Sequence, residues 1–138
     1  MPDLVRLSVS IAKPLFDKLE NLVADSQYTN RSEFIRDLVR ERLAAEEWDS
    51  GAEGLGTITL IYDHHARGLN ARLTDLQHDF RGHVLATTHV HLDHHRCAEM
   101  IMVLGRAEDI RGLTDAMHRL KGVLLAKLAT GSTGKTLT

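Results

Sequence analysis

Six of the nine histidines and the single cysteine of this 138-residue chain fall between Gln77 and Cys97. Imidazole and thiolate are nitrogen and sulfur ligands for borderline-soft metals. Here they follow the pattern H-x10-H-x-H-x5-C, as His78, His89, His91 and Cys97. The middle of the stretch is rich in strand formers, with Val84, Leu85, Thr87, Thr88 and Val90. Residues two apart on a strand face the same way, so His89 and His91 present two rings side by side. A turn through Asp93 to Arg96 then brings Cys97 back beside them, and His78 is the candidate fourth ligand. Such a set suits nickel, copper or zinc and disfavours magnesium or calcium, whose hard ions take oxygen ligands. Two histidines fixed on one strand face slightly favour a flat, tetragonal arrangement over a tetrahedral one. A lone cysteine is most often a small core hydrophobe. Its place within eight residues of two same-face histidines favours ligation instead.

The elements that must position these residues can be read on either side of them. From Thr57 the pattern runs strand (57–62), helix (about 67–77, with Leu69, Leu73 and Leu76 on one face) and strand (82–92). It continues with a strand (97–104), a helix (about 108–120) and a strand (123–129). That order, βαββαβ, is the ferredoxin-like split unit, an α+β sandwich with both helices on one face of an antiparallel sheet. The domain is placed at 57–130. Glu99 shares a strand face with Cys97 and is either an acceptor for a ligand-histidine N–H or an ordinary exposed carboxylate. His64, His65, His94 and His95 are further candidates for weak metal capture. Residues 131–138, GSTGKTLT, are expected to be a disordered tail.

The first 48 residues are organised differently. Residues 4–11, LVRLSVSI, alternate between Leu4, Arg6, Ser8 and Ser10 on one face and Val5, Leu7, Val9 and Ile11 on the other, the pattern of a half-buried strand. An isolated strand leaves its backbone groups unpaired, and a second copy of the chain is the natural partner. Pro14 fits a first helical turn, and Leu15, Leu19, Leu22 and Val23 recur at helical spacing. Asn30 followed by Glu33 has the spacing of a capping box for a second helix, with Phe34, Ile35, Leu38, Val39 and Leu43 along one stripe. A strand and two short helices cannot bury a sufficient core alone, which again argues for an intertwined dimer. The stretch 46–56, EEWDSGAEGLG, has no periodicity, and the hinge between domains is placed at 49–56.

The R-x-S-x-S pattern of Arg6, Ser8 and Ser10 followed by YTNRSEFIRDLVR resembles the ribbon-helix-helix DNA-binding domain. Together with the histidine and cysteine spacing, nearly the whole chain resembles the nickel-responsive transcriptional regulators of the NikR type, with an ACT-like metal-binding domain. The resemblance implies an antiparallel ribbon in the major groove of a palindromic operator, with Arg6, Ser8 and Ser10 reading base edges. It places Asn30, Arg31 and Ser32 at a phosphate. It further implies a homotetramer, a dimer of dimers, with Ni(II) held between subunits by His89, His91 and Cys97 of one chain and His78 of its neighbour. Glu33 and Asp37 match positions of a secondary cation site. In relatives a Lys-Arg pair follows the first strand of the second domain, approaching phosphate; here Ala66 and Arg67 stand there, so one contact is lost. His78 is followed by Asp79 and Phe80 where relatives carry further histidines. The implied function is nickel-dependent repression of nickel-uptake genes.

The bulk numbers narrow the classes. A net charge of −2 carries no global basic signature, so DNA contact must rest on local charge. One cysteine forms no internal disulfide, and no stretch reaches the apolar length of a membrane span, which together point to a cytoplasmic protein. Two other classes remain: a zinc- or copper-binding enzyme, and a metal-independent repressor of antitoxin type. An enzyme needs an open coordination position, which four protein ligands would close.

Overall fold

A computed structural model describes residues 3–138. The chain divides into two compact units, one extending to Glu41 and the other spanning Arg42–Thr138.

In the first unit, residues 3–12 form no helix or strand and are exposed, with Val5 and Leu7 at 88% and 81% of their full exposure. The alternation expected of a strand is present in the sequence, but a ladder requires a partner and the single chain supplies none here. Helix α1 (Lys13–Asp25) starts with Pro14 in its first turn, and the Ser26 hydroxyl closes it by donating to the Val23 carbonyl. Helix α2 (Arg31–Asp49) opens on Asn30, whose Oδ1 accepts the Glu33 N–H at 3.0 Å. The Glu33 carboxylate in turn accepts the Thr29 hydroxyl at 3.0 Å. Tyr28 packs edge-on against Phe34 with ring centroids 5.4 Å apart, and donates its hydroxyl to Asp37. No residue of α1 is buried, and Leu15, Leu22, Ile35, Leu38 and Val39 stay exposed. The unit displays one side of a core and lacks the other.

The second unit contains the end of α2 from Arg42 on, then β1 (Glu53–Asp63), α3 (Leu69–His78), β2 (His83–His91), β3 (Arg96–Arg106), α4 (Ala107–His118) and β4 (Val123–Gly131). The sheet is antiparallel with order β2-β3-β1-β4, the ferredoxin-like arrangement the sequence predicts. Ile58 and Leu60 of β1 and Ile101 and Val103 of β3 are buried with Leu69 and Leu73 of α3 and Ile110 and Met117 of α4. Cross-strand partners share a face. Because Tyr62 pairs with Cys97 and Cys97 with His91, these three side chains project to the helix side of the sheet. The opposite face carries Val90, Met100, Met102 and Leu125, all exposed.

Three boundaries differ from the sequence reading. Helix α2 runs to Asp49 and β1 begins at Glu53, so of the expected hinge 49–56 only residues 50–52 lie between elements. The reason is Trp48, which buries itself against β1 and carries the helix with it. Helix α3 starts at Leu69, because Gly68 occupies left-handed backbone (φ 74°) just before it. Strand β4 runs on to Gly131, past the expected end at 129, and beyond it the Thr136 hydroxyl donates to Glu47 Oε1 at 2.6 Å.

Candidate metal centre

The β2–β3 connection is built around one carboxylate. Asp93 Oδ1 accepts the backbone N–H of His95 (2.9 Å) and Arg96 (2.8 Å), while Oδ2 accepts Arg96 Nε (2.8 Å) and Nη2 (2.6 Å). These bonds, led by those from the Arg96 side chain, hold the Asp93 carboxyl far below its usual pKa. The turn fixes the register in which His91 faces Cys97 and His89 faces Glu99.

Cys97 is fully buried, yet its sulfur has two imidazoles beside it. His91 Nδ1 lies 3.2 Å from Sγ and His64 Nδ1 lies 3.4 Å away. The donor atoms of His64, His91 and Cys97 all fall within 4.8 Å of one another. The rings of His64 and His91 stand 5.0 Å apart, and those of His91 and His89 5.1 Å apart. Burial, followed by the charges of Asp93 and Glu99, raises the Cys97 thiol pKa. A metal takes the thiolate, so ligation must displace that proton. Apparent metal affinity is therefore expected to rise with pH, about tenfold per unit while the thiol stays protonated. Titrations at pH 6.5, 7.5 and 8.5 measure this, and a flat profile would exclude Cys97 as a ligand.

His89 is oriented from behind. Its Nδ1 lies 3.1 Å from the Tyr62 hydroxyl and 3.6 Å from Glu99 Oε1. A proton on Nδ1 directed at these oxygens leaves the Nε2 lone pair free for a metal. Burial, with Glu99 and Cys97 adding to it, pushes the Tyr62 pKa up to about 12, so the phenol stays neutral. Beside Glu99, an acceptor candidate on sequence grounds, the Tyr62 hydroxyl is a second oxygen within reach of His89 Nδ1. Tyr62→Phe, which keeps the buried ring, is expected to weaken metal binding by about 10-fold to 100-fold, the usual scale for losing such a support. Calorimetric titration beside the parent protein checks it.

Of the four expected ligands, the chain itself brings His91 and Cys97 together with His89 next to them. His78, the exposed last residue of α3, is not among the converging donors. His64 takes a place the sequence reading gave it only as a weak accessory. Its signal was topological: in the order β2-β3-β1-β4 the end of β1 lies beside the start of β3, which carries residues 62–64 to Cys97. His65, His94 and His95 surround the same loops, with His65 Nε2 3.0 Å from the His94 carbonyl oxygen and the His65 and His95 rings 5.4 Å apart.

The expected DNA-contacting residues are all in the exposed parts of the chain. Arg6, Ser8 and Ser10 lie on the exposed segment before α1, Ser32 is in the first turn of α2, and Arg67 is in the β1–α3 loop. Asn30 is spent on the α2 cap. Arg31 pairs with Glu20 at 2.7 Å and lies 5.3 Å from the Phe16 ring centroid. Glu33 and Asp37 each have local partners, Asp37 also pairing with Arg40 at 2.9 Å.

Two imidazoles against a buried thiol, with a third imidazole alongside, fit a borderline-soft cation and not a hard one. Comparison with known proteins gives the same answer. Residues 55–130 match the NikR C terminal nickel binding domain, and residues 5–46 match the ribbon-helix-helix protein, copG family. The chain belongs to the nickel-responsive regulator family. Relatives in this family span nearly the full length. A candidate nickel-responsive regulator of Desulfotalea psychrophila is 47% identical over 134 residues, covering 97% of this chain and 98% of that one. One of Solibacter usitatus is 45% identical over 135 residues, covering 97% of each chain. One of Pyrococcus furiosus is 42% identical over 135 residues, covering 97% of this chain and 98% of that one. Among solved structures, the ACT domain from the GTP pyrophosphokinase of Chlorobium tepidum overlays 56% of this chain and all of that domain, with TM-score 0.49 and 13% identity. Membership of the nickel-responsive regulator family removes the enzyme reading, since its relatives are named as regulators. Among the described residues, no helix of this regulator is long and apolar enough to cross a membrane.

Proposed function

We propose that the protein is a cytoplasmic repressor whose affinity for a palindromic operator upstream of nickel-uptake genes rises when Ni(II) binds. The observation that carries this reading is the convergence of His91, His89 and Cys97 at one end of the sheet. The metal set is His89, His91 and Cys97 of one chain with His78 of a neighbouring chain, in a tetramer of two DNA-binding dimers. Two observations support the assembly. The apolar side chains of the first unit await a partner, and the sheet face with Val90, Met100, Met102 and Leu125 is uncovered in the single chain. A site shared between chains exists in one quaternary arrangement, so a bound metal shifts the assembly toward it. Two ribbons held ready for two half-sites then gain affinity through effective concentration, without a new base contact. In each ribbon Arg6, Ser8 and Ser10 read base edges, while Asn30, Arg31 and Ser32 at the start of α2, and Arg67 of the second domain, lie at phosphates.

A second ligand set has its own support: His64, already 3.4 Å from the Cys97 sulfur, in place of the neighbour's His78. Nickel titration followed by optical spectroscopy separates the two. In the shared-site reading the thiolate-to-nickel band is lost in His78→Ala and survives in His64→Ala. The reverse pattern assigns the site to one chain and removes the shared-site mechanism. Operator binding with nickel and with a chelator tests the regulatory half, and equal affinity in the two would sink it.

A further inference from the structure

Trp48 is the only tryptophan of the chain and, among the described residues of α2, the only buried one. Its indole lies over Gly54 and Gly56 of β1. A Cβ at Gly54 would meet the ring at 3.4 Å, and one at Gly56 would meet it at 3.5 Å and Ile110 and Leu128 at 3.1 Å. Two adjacent outlets on one strand face thus lack side chains where the indole sits. The indole N–H donates to the Gly131 carbonyl at 2.7 Å, at the end of β4, and the Arg111 guanidinium of α4 lies 5.7 Å from the ring centroid. The preceding residue is tied as well. Glu47 accepts the Thr136 hydroxyl, and bonds from the Ser132 and Thr136 hydroxyls lower its carboxyl pKa.

From this seat we infer that Glu47 and Trp48 are positioning residues that fasten the end of α2 to the metal-binding domain, making the helix itself the element through which nickel acts on DNA binding. The inference rests on the nickel-dependent operator binding proposed above. A flexible Gly-rich hinge at 49–56 would absorb a rearrangement of the sheet domain. A seated Trp48 does not: residues 47 and 48 move with β1, β4 and α4, and any articulation between the DNA-reading and metal-binding parts lies on the N-terminal side of Glu47. The glycines at 54 and 56, which look like hinge residues in the sequence, serve as the floor under the indole.

The test uses the full-length protein and its Trp48→Leu and Thr136→Val variants, with nickel affinity and operator affinity measured separately. Nickel affinity should stay within about twofold of the parent, as no ligand is touched. The gain in operator affinity on adding nickel should fall at least tenfold in Trp48→Leu and by a smaller factor in Thr136→Val. A full gain in both variants overturns the inference. Should Trp48→Leu fail to fold by circular dichroism, Trp48→Phe, which keeps a ring and loses the N–H, takes its place under the same criterion. A parent protein without any nickel-dependent gain would defeat the proposed function instead. In that case the parent's tryptophan emission decides for the seat: a maximum that stays at the buried position with and without nickel supports it, and a red shift to a water-exposed maximum overturns it.

Discussion

Cys97→Ala is expected to abolish the nickel response while the fold persists. The sulfur is the one soft donor of the set, and its loss should weaken nickel binding by more than the ~100-fold that removal of a supporting residue costs. The side chain is fully buried among Tyr62, Ile101 and the rest of the sheet core, so the substitution also removes a methyl-sized group from packed space. That loss costs about 1 kcal/mol. A thermal melt should therefore remain cooperative with a slightly lower Tm, while the thiolate-to-nickel band disappears and operator binding becomes indifferent to nickel. A variant that keeps both the band and the response would show that the ligand set has been misassigned. Affinity by itself is the wrong readout for the identity of the effector, because copper binds most nitrogen and sulfur sites more tightly than nickel. The change in operator binding is the right one.

Arg6→Ala should give the complementary result, loss of operator recognition with nickel binding intact. An arginine bidentate to guanine contributes about 1–3 kcal/mol of discrimination, and a symmetric ribbon carries two copies, so a loss of about 10-fold to 100-fold per copy compounds. Fluorescence anisotropy with operator and with scrambled duplex separates this from a phosphate contact. Arg6→Ala should reduce binding to the operator and leave binding to the scrambled duplex nearly unchanged. If both duplexes lose affinity equally, Arg6 is a phosphate contact and the base-reading role is wrong. Arg31 starts from a different position, because its guanidinium is already paired with Glu20 and stacked on Phe16. A role for it at phosphate requires that pair to open.

The ferredoxin-like domain was legible because its strands and helices carry opposite periodicities in strict order, and each element's apolar set has one face to bury. Asn30 as the α2 cap was legible for the same local reason, since a side-chain oxygen three residues before an N–H needs no tertiary context. The hinge was not. Glycine and acidic residues with no periodicity look alike whether they flex or lie under a ring, and only the docking of Trp48 on Gly54 and Gly56 distinguishes the two. The bond from Thr136 to Glu47 was not legible for a related reason: the two residues are far apart in sequence.

By itself, the sequence determined the chemistry available: one thiol, the two same-face imidazoles His89 and His91, and a polar trio on an otherwise apolar alternating segment. Spacing along a strand is enough to fix which side chains share a face, because the backbone repeat is local. Tertiary structure decided which donors meet. Strand order carried His64 and the Tyr62 hydroxyl to Cys97 and His89 across more than 25 residues of chain. Those distances come from the pairing of β1 with β3, a register selected by burial of one whole sheet face.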